Sequence, residues 1–306
     1  MLNIVVIGSF VVGLTIRVPR QPVLGEGLIG DLFDLGPGGK GTNQAIAARR
    51  LGAQVGLLAC IGKDAFSQMA LDCYEREGIS RQYIHRIPNV NTAVGMVGVL
   101  PSGENWIIGH LGANLHMRPD HVDQAEDAIA RSAVVMTQFE VPLETMARAM
   151  ELGRKHGAVT LLNPAPGKRV EIEMLKNVDI LTPNESETRI LLGLPPDDPA
   201  PTSELAVRLL RFGVKRIVVT CGREGALIVT PQGVQAVPPA RVKPVCVTGA
   251  GDCFNAALAV GLAEGLNLEA AVRNACFAGA YSTQFFGVID GLPTREQLKA
   301  FKESAS

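Results

Sequence analysis

Five short stretches of the 306-residue chain carry residues whose types and spacing could do chemistry. The first is Thr248-Gly249-Ala250-Gly251-Asp252-Cys253-Phe254-Asn255, where small residues precede a carboxylate and a strongly apolar helical run. Backbone N–H groups at a helix start have no partner inside the helix. Those of residues 249–252 would form a concave anion site, strengthened by the helix dipole. Phosphoryl transfer needs such a site, because charge builds on the equatorial oxygens of the moving group. Asp252 would then orient an acceptor hydroxyl and take its proton. Alone, an aspartate at a first turn reads as a helix cap; the three small residues ahead, which let an anion come close, favour the catalytic reading.

The second stretch, Gly36-Pro37-Gly38-Gly39-Lys40-Gly41-Thr42-Asn43-Gln44-Ala45, leads directly into a helix. Its Gly-x-Gly-x-x-Gly spacing at 36, 38 and 41 stands in the wrong context for a dinucleotide site, because lid-like sequence separates it from the first core strand. A Walker loop is excluded because Gly41 follows Lys40. Gly38 and Gly39 let the backbone approach a ligand, and Lys40 and Asn43 present donors at the helix start, which suits a polyhydroxylated compound. In the third stretch, Thr182-Pro183-Asn184-Glu185-Ser186-Glu187, Asn184 and Glu187 fall three apart on one helical face. They could hold magnesium through waters or form a capping box, and the residues alone leave both open. The fourth is Thr220-Cys221-Gly222-Arg223-Glu224-Gly225; the fifth joins Asn163-Pro164-Ala165-Pro166 to Gln138-Phe139-Glu140. Five such segments at strand ends argue for one shared cleft.

The elements that must position these residues alternate. Continuous apolar, β-branched runs at 4–7, 54–61, 133–137, 159–162, 179–181 and 215–220 predict strands covered on both faces. Helical patterns at 42–51, 65–77, 120–131, 143–156 and 203–212 lie between them, which predicts an α/β fold with a mainly parallel sheet between helical layers. A β-meander at 225–237 follows, then helices at 252–264, 268–284 and 294–303. Residues 11–35 and 92–110 break the pattern; the second is a hairpin around Pro101-Ser102-Gly103-Glu104. Together they predict a small, discontinuous β lid over a single domain spanning 1–306. The Pro-rich stretch 194–201 reads as a surface loop.

Bulk properties narrow the classes. Net charge is −1 without long charged runs, which argues against a nucleic-acid or anionic-membrane partner. The longest mainly apolar stretch, 4–16, is too short to span a bilayer, and the first residues read as a core strand rather than a signal peptide. Cys60, Cys73, Cys221, Cys246, Cys253 and Cys276 form no Cys-x-x-Cys pair, and the five histidines are scattered; reduced thiols of a cytoplasmic protein are expected.

Taken together, the segments resemble the ribokinase-like (PfkB) family of carbohydrate kinases, from residue 4 to about 295, and within it the ribokinases most closely. The Gly38–Ala45 and Thr248–Asn255 stretches resemble the family's two signatures; Asn163-Pro164-Ala165-Pro166, Thr182-Pro183-Asn184-Glu185, Gly103-Glu104-Asn105 and Gly112-Ala113-Asn114 add to the match. The resemblance implies a three-layer αβα core and a β lid that covers the sugar and often forms a dimer contact, here a homodimer. It implies ATP and magnesium, and transfer of the γ-phosphate to a hydroxyl of D-ribose or a related pentose or hexose. Asp252 is implied as base, with Gly249, Ala250 and Gly251 as anion hole. Gly38, Gly39, Lys40, Asn43, Glu140 and Asp252 match sugar-binding positions. Asn184 and Glu187 match positions linked to magnesium and phosphates; Thr220, Gly222, Gly225 and Gly251 fall where the nucleotide lies, and Cys276 near its adenine. A nucleoside kinase and a non-catalytic sugar-binding protein are the alternatives.

Two departures stand out. Val11 and Gly13 occupy positions where an Asn and an Asp would grip the sugar, which removes two polar contacts worth about 1 kcal/mol each. Cys246 replaces an Asp expected beside a monovalent cation, and a neutral thiol is a poor ligand for potassium. Main-chain carbonyls of Thr248 and Gly287 would remain, so potassium activation is expected to be weak or absent.

Overall fold

A computed structural model describes residues 3–305. In chain order the elements are β1 (Asn3–Ile7), β2 (Val11–Arg17), β3 (Leu32–Gly38), α1 (Lys40–Arg50), β4 (Gln54–Ile61), α2 (Ala65–Arg76), β5 (Tyr83–Arg86), β6 (Ala93–Val99), β7 (Asn105–His110), α3 (Pro119–Asp123), α4 (Glu126–Ala130), β8 (Val134–Gln138), α5 (Leu143–Lys155), β9 (Val159–Asn163), β10 (Ile180–Leu181), α6 (Glu185–Leu191), α7 (Thr202–Leu209), β11 (Arg216–Thr220), β12 (Ala226–Thr230), β13 (Gly233–Val237), α8 (Ala250–Ala263), α9 (Leu268–Ser282) and α10 (Arg295–Ala305).

Nine strands form one sheet in the order β13-β12-β11-β10-β9-β8-β1-β4-β5. It is parallel from β5 to β11, and the meander β11–β12–β13 adds an antiparallel edge. Alternating side chains of β1 enter two separate cores. Ile4 and Val6 join residues of α1, α8 and α9; Val5 and Ile7 join Met146, Met150 and Leu152 of α5. The result is the expected three layers, helix–sheet–helix, with strands buried on both faces. Parallel pairing puts the C-terminal ends of β1, β8, β9, β10 and β11 on one edge of the sheet, where the segments singled out above lie.

A separate four-stranded sheet runs β3-β2-β6-β7. The two insertions pair with each other through β2 and β6, which are parallel, with Val11 opposite Ala93. Gly36, Gly13, Gly95 and Gly109 stand in register across all four strands, on the same face as Val11, Thr15 and Asp34. One residue along, Leu35, Leu14, Met96 and Ile108 form a second row, which alternation puts on the opposite face.

Three details differ from the sequence expectations. The helix expected over 120–131 is two short helices, α3 and α4, with Gln124 and Ala125 between them. Strand β5 was not expected; it is a four-residue edge strand, mostly half-buried, and so lacks an apolar run. The glycine-rich stretch is not wholly a turn: β3 runs to Gly38, which pairs with Val11, and the chain bends only at Gly39.

Candidate active site

Asp252 lies in the first turn of α8 and is buried. Asn43 Nδ2 donates to its Oδ2 at 2.8 Å, and Gln44 Nε2 donates to its Oδ1 at 3.0 Å. Both amides come from the first turns of α1, which starts at the bend at Gly39. Gly39 has φ 93°, and a Cβ there would lie 2.8 Å from Val11 N, so α1 approaches β2 this closely only with glycine at that position. Gln138 Nε2 donates to Gln44 Oε1 at 2.6 Å, which turns the Gln44 NH2 group toward the carboxylate. Gln44 Nε2 also reaches Asn163 Oδ1 at 3.2 Å, and Asn163 Nδ2 donates to the Thr182 carbonyl at 3.1 Å. A chain of buried amides thus runs along the ends of β8, β9 and β10 to Asp252.

Helix α8 begins at Gly249, with φ 82°; a Cβ there would lie 2.5 Å from Val288 Cγ1. Four free N–H groups were expected over 249–252. The Ala250 N–H is instead committed to the Val247 carbonyl at 3.2 Å, because the chain makes a tight turn into the helix. The N–H groups of Gly249, Gly251 and Asp252 donate to nothing among the described residues. A Cβ on Gly251 would meet no atom within 4 Å, so open space lies in front of it.

Two cavities meet there. One, of about 520 Å³, lies between the sheet edge and the small sheet and is lined by Gly38, Gly39, Lys40, Asn43, Glu140, Glu187, Thr248, Asp252 and Gly287. Val11 and Gly13 line it as well, and bring no polar side chain. Asp34, Arg76 and Asp290 also line it, none of which the sequence had singled out, as does Asn105, which the sequence marked only as part of the Gly103–Asn105 match. The other, of about 920 Å³, is lined by Gly222, Gly225, Ala250, Phe254 and Cys276. Asn184, Thr220, Val247 and Gly251 line both cavities. The expected site residues therefore gather around one connected space.

The smaller cavity is strongly polar at its base. The Lys40 backbone N–H donates to Glu140 Oε2 at 2.9 Å, and the Ser9 hydroxyl donates to the same oxygen. Burial pulls the Lys40 ammonium down, but Asp252, Glu140 and Glu187 together outweigh it and hold it above the ordinary lysine range. Asn43 Oδ1 is buried and accepts no hydrogen bond. An orphaned acceptor of this kind costs about 1–3 kcal/mol until a ligand donor satisfies it.

Asn184 and Glu187 form the capping box that the residues had left open. Glu187 N donates to Asn184 Oδ1 and Asn184 N to Glu187 Oε2, both at 2.8 Å. Burial pushes the Glu187 carboxyl up, against the pull of the Asn184 N–H and of Lys40. Its second oxygen accepts no hydrogen bond among the described residues, so this carboxylate fits a hydrated magnesium ion that would relieve its burial. No cluster of three or more His, Cys, Asp or Glu side chains able to hold a metal occurs among the described residues, so any such ion would draw most ligands from water and phosphate. The monovalent-cation position fits less well: Cys246 is buried, packs with Val97 and Val99, and its thiol donates to Thr248 Oγ1 at 3.2 Å.

A parallel αβα core, a separate small sheet, and an aspartate at a helix N-terminus between two cavities define a small-molecule kinase. The model of the pfkB family carbohydrate kinases matches residues 1–295, and the chain belongs to that family. It is 35% identical over 301 residues to a deoxyribokinase of Salmonella typhi, covering 98% of each chain. It is 35% identical over 299 residues to a ribokinase of Bacillus subtilis, covering 98% of this chain and 99% of that one. A structure of Arabidopsis thaliana ribokinase complexed with ribose and ATP superposes with a TM-score of 0.85 at 27% identity, over 98% of this chain and 99% of that one. The protein is a sugar kinase of the ribokinase family.

Proposed function

We propose that this kinase moves the γ-phosphoryl group of ATP to a hydroxyl of a pentose held in the smaller cavity, with Asp252 as base. One observation carries the reading: the Asp252 carboxylate faces the smaller cavity, and the residue before it, Gly251, borders both. ATP in the larger cavity would bring its γ-phosphate to the free N–H groups of Gly249 and Gly251. The acceptor O–H would give its proton to Asp252 as its oxygen attacks phosphorus; the bond to the β-phosphate oxygen breaks, and ADP leaves. Magnesium, when bound, neutralises the phosphate oxygens, and Asn184 and Glu187 would hold it through water. Thr220, Gly222, Gly225 and Cys276 would line the nucleotide. The sugar would lie on Gly38, Gly39, Lys40 and Glu140, with one hydroxyl donating to the orphaned Asn43 Oδ1. The relative with ribose and ATP bound supports this donor and this acceptor class.

With Val11 and Gly13 in the cavity wall, we favour a pentose with fewer hydroxyls, 2-deoxy-D-ribose over D-ribose. ADP release with D-ribose, 2-deoxy-D-ribose, hexoses and nucleosides tests this. The expected result is a higher kcat/KM for 2-deoxy-D-ribose; ADP release that depends on no acceptor would remove the reading. A nucleoside acceptor is a second reading, favoured by the glycine row. A Cβ at Gly13, Gly36 or Gly95 would meet no atom closer than 3.4 Å, so these glycines leave room for a ring.

The apolar row on the other face, with Leu35, Met96 and Ile108 exposed, suits a second copy of the chain. Sedimentation equilibrium would show a dimer, and Ile108→Lys would break it. All six cysteines are free, which supports a reducing compartment, and no helix among the described residues is long and apolar enough to cross a membrane.

A further inference from the structure

The small sheet meets the segment that leads into the anion-binding turn, and one of its side chains is hydrogen-bonded there. Asn105 is the first residue of β7, and its register opposite Val99 puts it on the cavity-facing side. Its Nδ2 donates to Thr248 Oγ1 at 2.5 Å. Thr248 is the residue before Gly249, whose N–H is among the free donors at the start of α8. Two further contacts hold the same strands of chain together. The Val247 N–H donates to the Gly103 carbonyl at 3.3 Å, and Cys246 packs between Val97 and Val99 of β6. The hairpin tip is itself closed, with Gly103 N bonded to Leu100 O at 2.9 Å and Leu100 N to Glu104 O at 2.8 Å. Segment 246–248 is thus fastened to the hairpin by a thiol in an apolar pocket, a backbone bond and a side-chain bond.

Asn105 has a second amide atom. Its Oδ1 accepts no hydrogen bond among the described residues, and the residue lines the acceptor cavity. One side chain thus bonds the turn that would receive the phosphate and borders the space that would receive the sugar. On its other side the Thr283 carbonyl accepts the Val245 and Cys246 N–H groups, but within the turn Gly249 and Gly251 have no side chains, and the Ala250 N–H bond closes only a local loop. An anion hole works by having its donors fixed before charge develops.

We propose that Asn105 is a positioning residue for phosphoryl transfer, which fixes the 247–251 turn from the small sheet through Thr248 Oγ1. The proposal rests on the kinase reading of the site, and it makes the order of the anion hole depend on where the β6–β7 hairpin sits.

Two measurements test it. Amide hydrogen–deuterium exchange requires no acceptor: Asn105→Ala should speed exchange at Val247 and Ala250, whose N–H groups are bonded to the Gly103 and Val247 carbonyls, while leaving β1, β4 and β8 unchanged. Unaltered exchange in the 247–251 peptide would overturn the proposal, whatever the enzyme's substrate turns out to be. Kinetics with ATP and the better of D-ribose and 2-deoxy-D-ribose supply the second. Asn105→Ala and Thr248→Val should each lower kcat about ten- to a hundredfold, as expected of a misplaced reacting group, with little change in KM for the sugar. The double variant should be no worse than Thr248→Val alone, because that change already removes the Asn105 bond together with the Cys246 one. A raised sugar KM at unchanged kcat would make Asn105 a plain substrate contact, and losses that multiply in the double variant would separate it from Thr248; either result defeats the proposal.

Discussion

Gln44 Nε2 lies 3.0 Å from Asp252 Oδ1, so one oxygen of the carboxylate is held by Gln44 and the other by the adjacent Asn43. Consecutive residues on a helix point in directions about 100° apart, and both reach Asp252 only because α1 passes across the start of α8. Hydrogen bonds to a carboxylate contribute roughly 1.5–3 kcal/mol. Gln44→Leu should therefore lower kcat about ten- to a hundredfold by letting the carboxylate turn, with ATP binding retained. Full activity in that variant would show that Asn43 suffices.

Asp252→Asn keeps the size of the side chain and removes the proton acceptor. Turnover should fall by about two to four orders of magnitude, while ATP binding by calorimetry stays intact. Retained turnover would contradict the assignment of Asp252 as base.

Gly249 and Gly251 should respond differently to an added methyl. Gly249→Ala forces a positive φ on alanine and drives its Cβ to 2.5 Å from Val288 Cγ1, so a loss of about 1–3 kcal/mol in unfolding free energy is expected. Gly251→Ala meets nothing within 4 Å and should melt like the parent, yet lose activity, because the methyl occupies the space of the phosphate. Denaturant melts alongside ADP assays separate the two effects.

Much of this was visible beforehand, and the reason is local. Gly39, Gly249 and Asp252 declare themselves through their immediate neighbours, since a tight bend into a helix needs small residues side by side. Gln44 stood in the same quoted stretch without a role, because its partner is 208 residues away and an amide carries no sign of what it will meet. Asn105 likewise belonged to a matched segment, Gly103-Glu104-Asn105, but its partner Thr248 lies 143 residues away. The capping box of Asn184 and Glu187 was readable as one of two options, and the burial of Glu187 with one oxygen left over was not readable at all. The edge strand β5 and the break between α3 and α4 depend on tertiary packing.

Potassium should not stimulate the enzyme. Cys246 offers a neutral sulfur whose proton is bonded to Thr248 Oγ1, in a pocket with Val97 and Val99. Rates should be equal in sodium, potassium and bulky organic-cation buffers. A large increase specific to potassium would show that carbonyl oxygens alone build the site.

Acid should weaken the fold at a stacked histidine pair. The rings of His85 and His121 lie 4.1 Å apart at 17°, and His121 Nδ1 accepts the Arg118 N–H at 3.2 Å, which requires a bare nitrogen. Burial holds both below the usual histidine range; His121 adds to the effect on His85, and Arg118 to that on His121, against the opposing pull of Asp120. The unfolded chain then takes up protons first. Stability is complete above the unfolded value near 6.5 and is lost as pH falls below it. Melting temperature should drop between pH 7 and 5, and His85→Phe should flatten that slope; an unchanged slope would place the acid sensitivity elsewhere.

In the small sheet, glycines 13, 36, 95 and 109 each neighbour in sequence one of the apolar residues 14, 35, 96 and 108. Because strand side chains alternate, a one-residue slip of any strand would exchange the two faces for that strand. Bulky side chains would then enter the smaller cavity, and bare backbone would face outward. The cavity would be blocked and the apolar row lost in the same step. Correct register thereby decides the chemistry of both faces of the small sheet at once.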